Sequence, residues 1–146
     1  MLLALCYWLI FLSAAVVVAM NGSRSARRFL GALLLATLAT LAVRFTLDES
    51  QAAFGYLIID IGLLLLVLGL ALRLDVFWPM WFAGFQLITV ASEFGRIILP
   101  GPVATFYGDL AGFWAVPALL SMAIGTVKDR QEGLQERFGV HSMAGP

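Results

Sequence analysis

Apolar runs of about twenty residues, separated by short charged or proline- and glycine-bearing breaks, constrain this chain more than any motif in it. A helix must be about that long to cross the roughly 30 Å hydrocarbon layer of a bilayer. Runs of this kind cover residues 2–20, 29–47, 53–72, 77–99 and 103–127. The chain of 146 residues is 62% hydrophobic and only 12% charged, whereas a soluble domain carries about 25% charged residues. A water-soluble core cannot hide so much apolar surface. The expectation is an all-α fold: a polytopic integral membrane protein, a five-transmembrane-helix bundle at 1–127 with a cytoplasmic tail at 128–146.

The breaks carry their own signals. No basic residue precedes the first run, and Arg24, Arg27 and Arg28 follow it, which predicts a retained helix and not a cleaved signal peptide. Ala32, Ala36 and Thr40 recur every fourth residue in the second run, so another helix can approach closely there. Asp48 and Gln51 have the spacing of a capping box opening the third helix. Gly55, Gly62 and Gly69, seven apart, mark a flat face on it. Arg73 and Asp75 suit the helix termini they flank and imply a very tight turn. Pro79 fits the first turn of the fourth helix, and Phe77, Trp78, Trp81 and Phe82 suit the headgroup level. Pro100, Gly101 and Pro102 stop that helix. Gly108 and Gly112 form one GxxxG, and Pro117 predicts a kink. In the tail, Leu134 and Phe138 suggest a short amphipathic turn followed by disorder.

Orientation follows from charge. With the start outside, Arg24, Arg27, Arg28, Arg73, Lys128, Arg130 and Arg137 all fall on the cytoplasmic side, as the positive-inside rule asks, giving N-out and C-in. Net charge is zero and the basic residues form no dense patch, so nucleic acid is not an expected partner. The partners are the lipid bilayer and a homo-oligomer or larger membrane complex. Compact loops and no organelle-type leader predict a multi-pass protein of the cell membrane, with a bacterial inner membrane as the default. The one cysteine, Cys6, excludes an intrachain disulfide and a Cys cluster for metal.

Between Trp81 and Pro100 the residues Gln86, Thr89, Glu93 and Arg96 recur at steps of three, four and three, which places them on one stripe of a helix. Burying an ionic pair in hydrocarbon is costly, so a partner must face that stripe. At about 1.5 Å of rise per residue, Asp60, Glu93 and Asp109 lie about 9–10 Å inside the outer edge of the hydrocarbon, with Arg96 and Arg44 about a turn shallower. Three carboxylates then meet two guanidiniums. Arg96 is expected to serve Glu93 and Asp109, which leaves Asp60 without a full counter-ion and with Tyr56 one turn away. The ligand-, ion- or proton-binding candidates are thus Asp60, Glu93, Arg96, Asp109, Arg44, Gln86 and Tyr56. In the competing reading these groups only lock helices together, with Ser92, Thr89 and Gln86 satisfying one another across an interface.

No motif names a reaction. HExxH, GxSxG and phosphate-binding glycine loops are missing, and Tyr-Gly-Asp at 107–109 is only a fragment of the GxGD pattern of intramembrane aspartyl proteases. His141 stands alone, and Met80 and Met122 suit packing. No enzyme, metal or cofactor is expected. Two functions remain: a small membrane protein that binds or translocates an ion, proton or small polar solute, or a non-catalytic accessory or structural membrane subunit.

Overall fold

A computed structural model describes the backbone of residues 2–73 and 77–142 and the side-chain surroundings of residues 8–48, 51–73 and 77–131. Asp75 lies outside the described residues, and the side chains of Cys6, Leu134, Phe138 and His141 lie outside the described surroundings. The described chain is all-helical: α1 (Leu2–Asn21), α2 (Arg24–Thr46), α3 (Glu49–Ala71), α4 (Trp78–Ile98) and α5 (Pro102–Ser142).

Local chemistry sets most of these limits. Ser23 caps α2 by accepting a hydrogen bond from Ala26 N–H at 3.3 Å, so the helix begins at Arg24, five residues before the apolar run. Asp48 does occupy the N-cap of α3, yet its side chain makes no capping hydrogen bond, so the reciprocal box is not formed. Leu99 is extended, as a residue before proline must be, and ends α4. Gly101 takes φ 64°, the left-handed value that lets the chain reverse into α5. Helix α5 accommodates Pro117 and runs on without a break at Val127. The short turn and disorder expected of the tail give way to continuous helix as far as Ser142.

Successive helices pack side by side, and α5 returns to α1, which closes the ring. Their directions alternate. Asn21 at the end of α1 meets Arg130 of α5, and Phe29 near the start of α2 meets Trp78 at the start of α4. At the opposite end, Gly95 of α4 meets Tyr107 of α5. The bundle therefore has a Ser23 end, holding Arg24, Arg27, Arg28, Lys128 and Arg130, and a Pro100 end. The hydrophobic core includes Phe11, Val18, Phe29, Leu63, Val67, Phe82 and Met122.

Three helices among the described residues are long and apolar enough to cross a membrane: Arg24–Thr46, Gln51–Ala71 and Pro102–Gln131. The described apolar part of α1, Trp8–Asn21, is shorter. Helix α4 has the length but carries the polar stripe. Around the bundle, Leu9, Leu35, Ile58, Leu65, Phe106 and Ile124 are each more than 60% exposed. So wide an apolar exterior exceeds what a soluble monomer shows and is what hydrocarbon covers.

Glycine decides where helices touch. A Cβ on Gly125 would stand 2.2 Å from Cβ of Trp78, and one on Gly95 would stand 2.8 Å from the Tyr107 ring. The α4–α5 pair is thus drawn together at both ends by bare backbone. The face marked by Gly55, Gly62 and Gly69 is used only in part: Gly55 meets Val43 of α2, whereas Gly62 and Gly69 have no neighbour within 4 Å.

Candidate functional site

Helix α4 is amphipathic in the inverted sense over its second half. Its buried face is apolar near the Ser23 end, through Trp78, Phe82 and Ala83, then polar through Gln86, Thr89, Ser92 and Glu93. Met80, Trp81, Leu87, Phe94 and Ile98 on the other side are exposed. Water would favour the reverse arrangement. The switch from apolar to polar along one seam confines the polar groups to the half of the bundle nearer the Pro100 end.

Two contacts organise this cluster. Gln86 Nε2 donates to Asp60 Oδ1 at 3.0 Å and, more weakly, to the Asp60 carbonyl oxygen at 3.4 Å, tying α4 to α3. Arg96 Nη1 lies 3.5 Å from Glu93 Oε2, an ion pair within α4. That oxygen is buried and has no hydrogen-bond partner among the described residues. The Arg96 side chain is 29% exposed against 8% for Glu93, so the cation caps the buried acid from the outer side. Its guanidinium carbon stands 5.5 Å from the centre of the Tyr56 ring on α3, within cation–π range. The stem of Arg96 also crosses α5, where a Cβ on Gly108 would lie 3.2 Å from its Cδ. Gly108 therefore makes room for this side chain, while Gly112 of the same motif meets nothing within 4 Å.

The hydroxyls behave differently from the cross-interface arrangement set out above. Thr89 donates to the Phe85 carbonyl at 3.1 Å and Ser92 to the Ile88 carbonyl at 2.8 Å, both within α4. Each satisfies itself one turn back. Gln86 alone of the three makes a hydrogen bond to another helix.

Of the residues singled out in the sequence, the structure brings Asp60, Gln86, Glu93, Arg96 and Tyr56 to one half of the α3–α4 seam. It does not bring Asp109 or Arg44 there. Asp109 is exposed on α5 and Arg44 is exposed near the end of α2. Equal depth along the bundle axis does not make two side chains neighbours, because each helix also chooses which way its residues turn. Arg96 is thus paired with Glu93 alone. Asp60 is held by an amide and not by a cation, in line with its expected place as the acid without a full counter-ion. Among the described residues, Arg96 is the one cation paired at this seam, and Glu93 is its one ion-pair partner.

Sequence reading missed a second polar site, at the Ser23 end. Asn21, Ser23, Thr126, Asp129 and Arg130 line a cleft where α1, α2 and α5 meet. Arg130 donates from Nη1 to Asn21 Oδ1 across 109 residues of sequence. No local pattern could have announced this contact, since the residues belong to different helices and share no spacing. Set against family models, curated proteins and solved structures, the chain matches none of them.

Proposed function

We propose that this is a five-span membrane protein, N-out and C-in, that binds or translocates a proton or small cation at the α3–α4 seam. The observation that carries this reading is the imbalance of carboxylates and cations among the described residues: Asp60 and Glu93 both line the seam, Arg96 pairs with Glu93 alone, and Glu93 keeps a buried oxygen without a hydrogen-bond partner. Ionisable groups inside a membrane bundle are expensive, and they commonly mark a path or a site for charge. The inverted helix α4 supports its place as a span, since its exposed side is as apolar as those of its neighbours. Five helices enclose little space, so a path with complete walls would use a second copy. Asp109 and Arg44, exposed on the outer surface, are the charges such a contact would have to match.

The test is cation flux in proteoliposomes, under imposed gradients of protons, sodium and potassium. Flux abolished in Asp60→Asn and in Glu93→Gln, with the proteins still folded, supports the assignment. Unchanged flux in both variants removes these residues. No flux of any of the three cations through the wild-type protein rejects the ion reading.

One observation favours a second reading. The Gln86–Asp60 hydrogen bond crosses from α4 to α3, as a helix fastener does. In that case the protein is an accessory or structural subunit, and loss of the cluster lowers stability or complex recovery without altering any solute response.

A further inference from the structure

The outer surface of the bundle carries two charges that the seam does not use. Arg44, near the end of α2, and Asp109, about two turns into α5, are both exposed, and neither has an ion-pair partner among the described residues. On the five-span reading proposed above, on which this inference rests, both face hydrocarbon. Exposed apolar side chains surround them: Phe45 beside Arg44, and Phe106 and Phe113 a turn to either side of Asp109. A charge in that setting is costly. Arginine can extend its long stem toward the headgroups. The short stem of aspartate cannot, so Asp109 is the group that calls for a partner.

Few cations can answer it. Of the nine Lys and Arg residues, only Arg44 and Arg96 stand in the Pro100 half of the bundle, and Arg96 is paired with Glu93. Arg44 is left. Within one chain it is not a neighbour of Asp109, because α2 packs beside α1 and α3 whereas α5 packs beside α4 and α1.

The levels of the two residues are compatible. At about 1.5 Å of rise per residue, Arg44 lies about one turn nearer the Pro100 end than Asp109. Each Cα–Cβ bond tilts toward the N-terminus of its own helix. Helix α2 starts at the Ser23 end and α5 at the Pro100 end, so the tilt carries Arg44 inward and Asp109 outward, each toward the level of the other. The surroundings admit another helix. Gly112, one turn from Asp109, is exposed and has nothing within 4 Å of the place a Cβ would take. Thr40, one turn from Arg44, is exposed, and its hydroxyl is already satisfied on the Ala36 carbonyl at 2.9 Å.

We propose that Arg44 of one copy pairs with Asp109 of a second copy of this chain, α2 of one bundle lying against α5 of the other. A second copy is the partner that offers both halves of the match. In a two-fold pair the same patch meets itself, so two ion pairs form across one interface.

The experiment follows association of the full chain in proteoliposomes, by energy transfer between donor- and acceptor-labelled copies as the protein is diluted in lipid. Arg44→Glu and Asp109→Arg should each weaken self-association by at least about tenfold, because like charges then face one another. Mixed together, the two variants should associate as the wild type does: the introduced glutamate faces the introduced arginine, and the unaltered Arg44 and Asp109 face each other. A chain carrying both exchanges should likewise self-associate. Asp48→Asn, which removes an exposed charge at the same end, should change nothing. Should Asp109→Arg fail to insert, Asp109→Asn and Arg44→Gln still decide the matter, since the double variant should lose no more than either alone. A monomer at every dilution overturns the proposal, as does association indifferent to both charges. Two weakened variants that do not rescue one another overturn it too, and point to a lipid headgroup or a different subunit beside each charge. Equal weakening by Asp48→Asn would show diffuse attraction and have the same consequence. Side-specific labelling at Asp48 and Gln131 tests the spans by themselves, so the expected labelling together with a monomer rejects this interface and leaves the five-span reading standing.

Discussion

Arg96 and Glu93, one turn apart on α4, form a lopsided pair: at 3.5 Å the cation is 29% exposed while the acid is 8% exposed. The buried member depends on its partner far more than the reverse. Removing the guanidinium strands a carboxylate in the seam, whereas removing the carboxylate leaves an arginine that can lengthen outward and still face Tyr56. Arg96→Gln should therefore destabilise the bundle by about 2–3 kcal/mol, and Glu93→Gln by about 1 kcal/mol or less. The double variant should fall short of the sum by more than about 0.5 kcal/mol. Unfolding in mixed micelles measures all three, and additive losses would dissolve the pair.

Asp60 and Gln86 offer a cleaner separation of charge from structure. Asparagine in place of Asp60 keeps a carbonyl oxygen to accept from Gln86 Nε2, so Asp60→Asn should change stability by less than about 1 kcal/mol. Gln86→Leu leaves the acid without that donor and should cost about 1–3 kcal/mol. If Asp60→Asn proves the more damaging of the two in an unfolding assay, the amide contact is not what holds Asp60.

Of the glycines at helix–helix contacts, Gly125 between α4 and α5 should be the hardest to replace. Gly125→Ala places a methyl group 2.2 Å from Trp78 Cβ, which forces the helices apart at a cost of about 1–3 kcal/mol. Gly62→Ala meets nothing within 4 Å and should be neutral or slightly stabilising in the monomer, by up to about 1 kcal/mol, through helix propensity alone. Comparable losses at both positions would mean that Gly62 faces a partner the single chain does not contain.

Topology is open to direct labelling. In a Cys6→Ala background, a cysteine at Asp48 should react with a membrane-impermeant maleimide added to intact cells. One at Gln131 should react only after permeabilisation, because the proposed orientation puts the basic end on the cytoplasmic side. Reaction of both from the same side would refute an odd number of spans between them, and the reverse pattern would invert the orientation.

The outline of the fold was legible because it depends on quantities a linear chain displays. Apolar runs announce long helices, Pro100 to Pro102 announces a reversal, and a three-four-three recurrence announces that Gln86, Thr89, Glu93 and Arg96 share a face. That face did prove to be the buried one. Pairing across helices was less accessible. Asp60 meets Gln86 and Asp109 faces outward, though Asp60 and Asp109 looked equivalent in depth and surroundings along the chain.

Sequence by itself determined how many helical segments this protein makes, where most of them end, and which stripe of α4 is sheltered. Tertiary structure alone decided which residues of the other helices do the sheltering, and it assembled the cleft around Thr126. The physical reason is rotational. A helix apolar on every side carries no asymmetry to say which flank turns inward. Its rotation is chosen by packing, by a glycine admitting Trp78 or Tyr107, and only that choice brings one polar residue within reach of another.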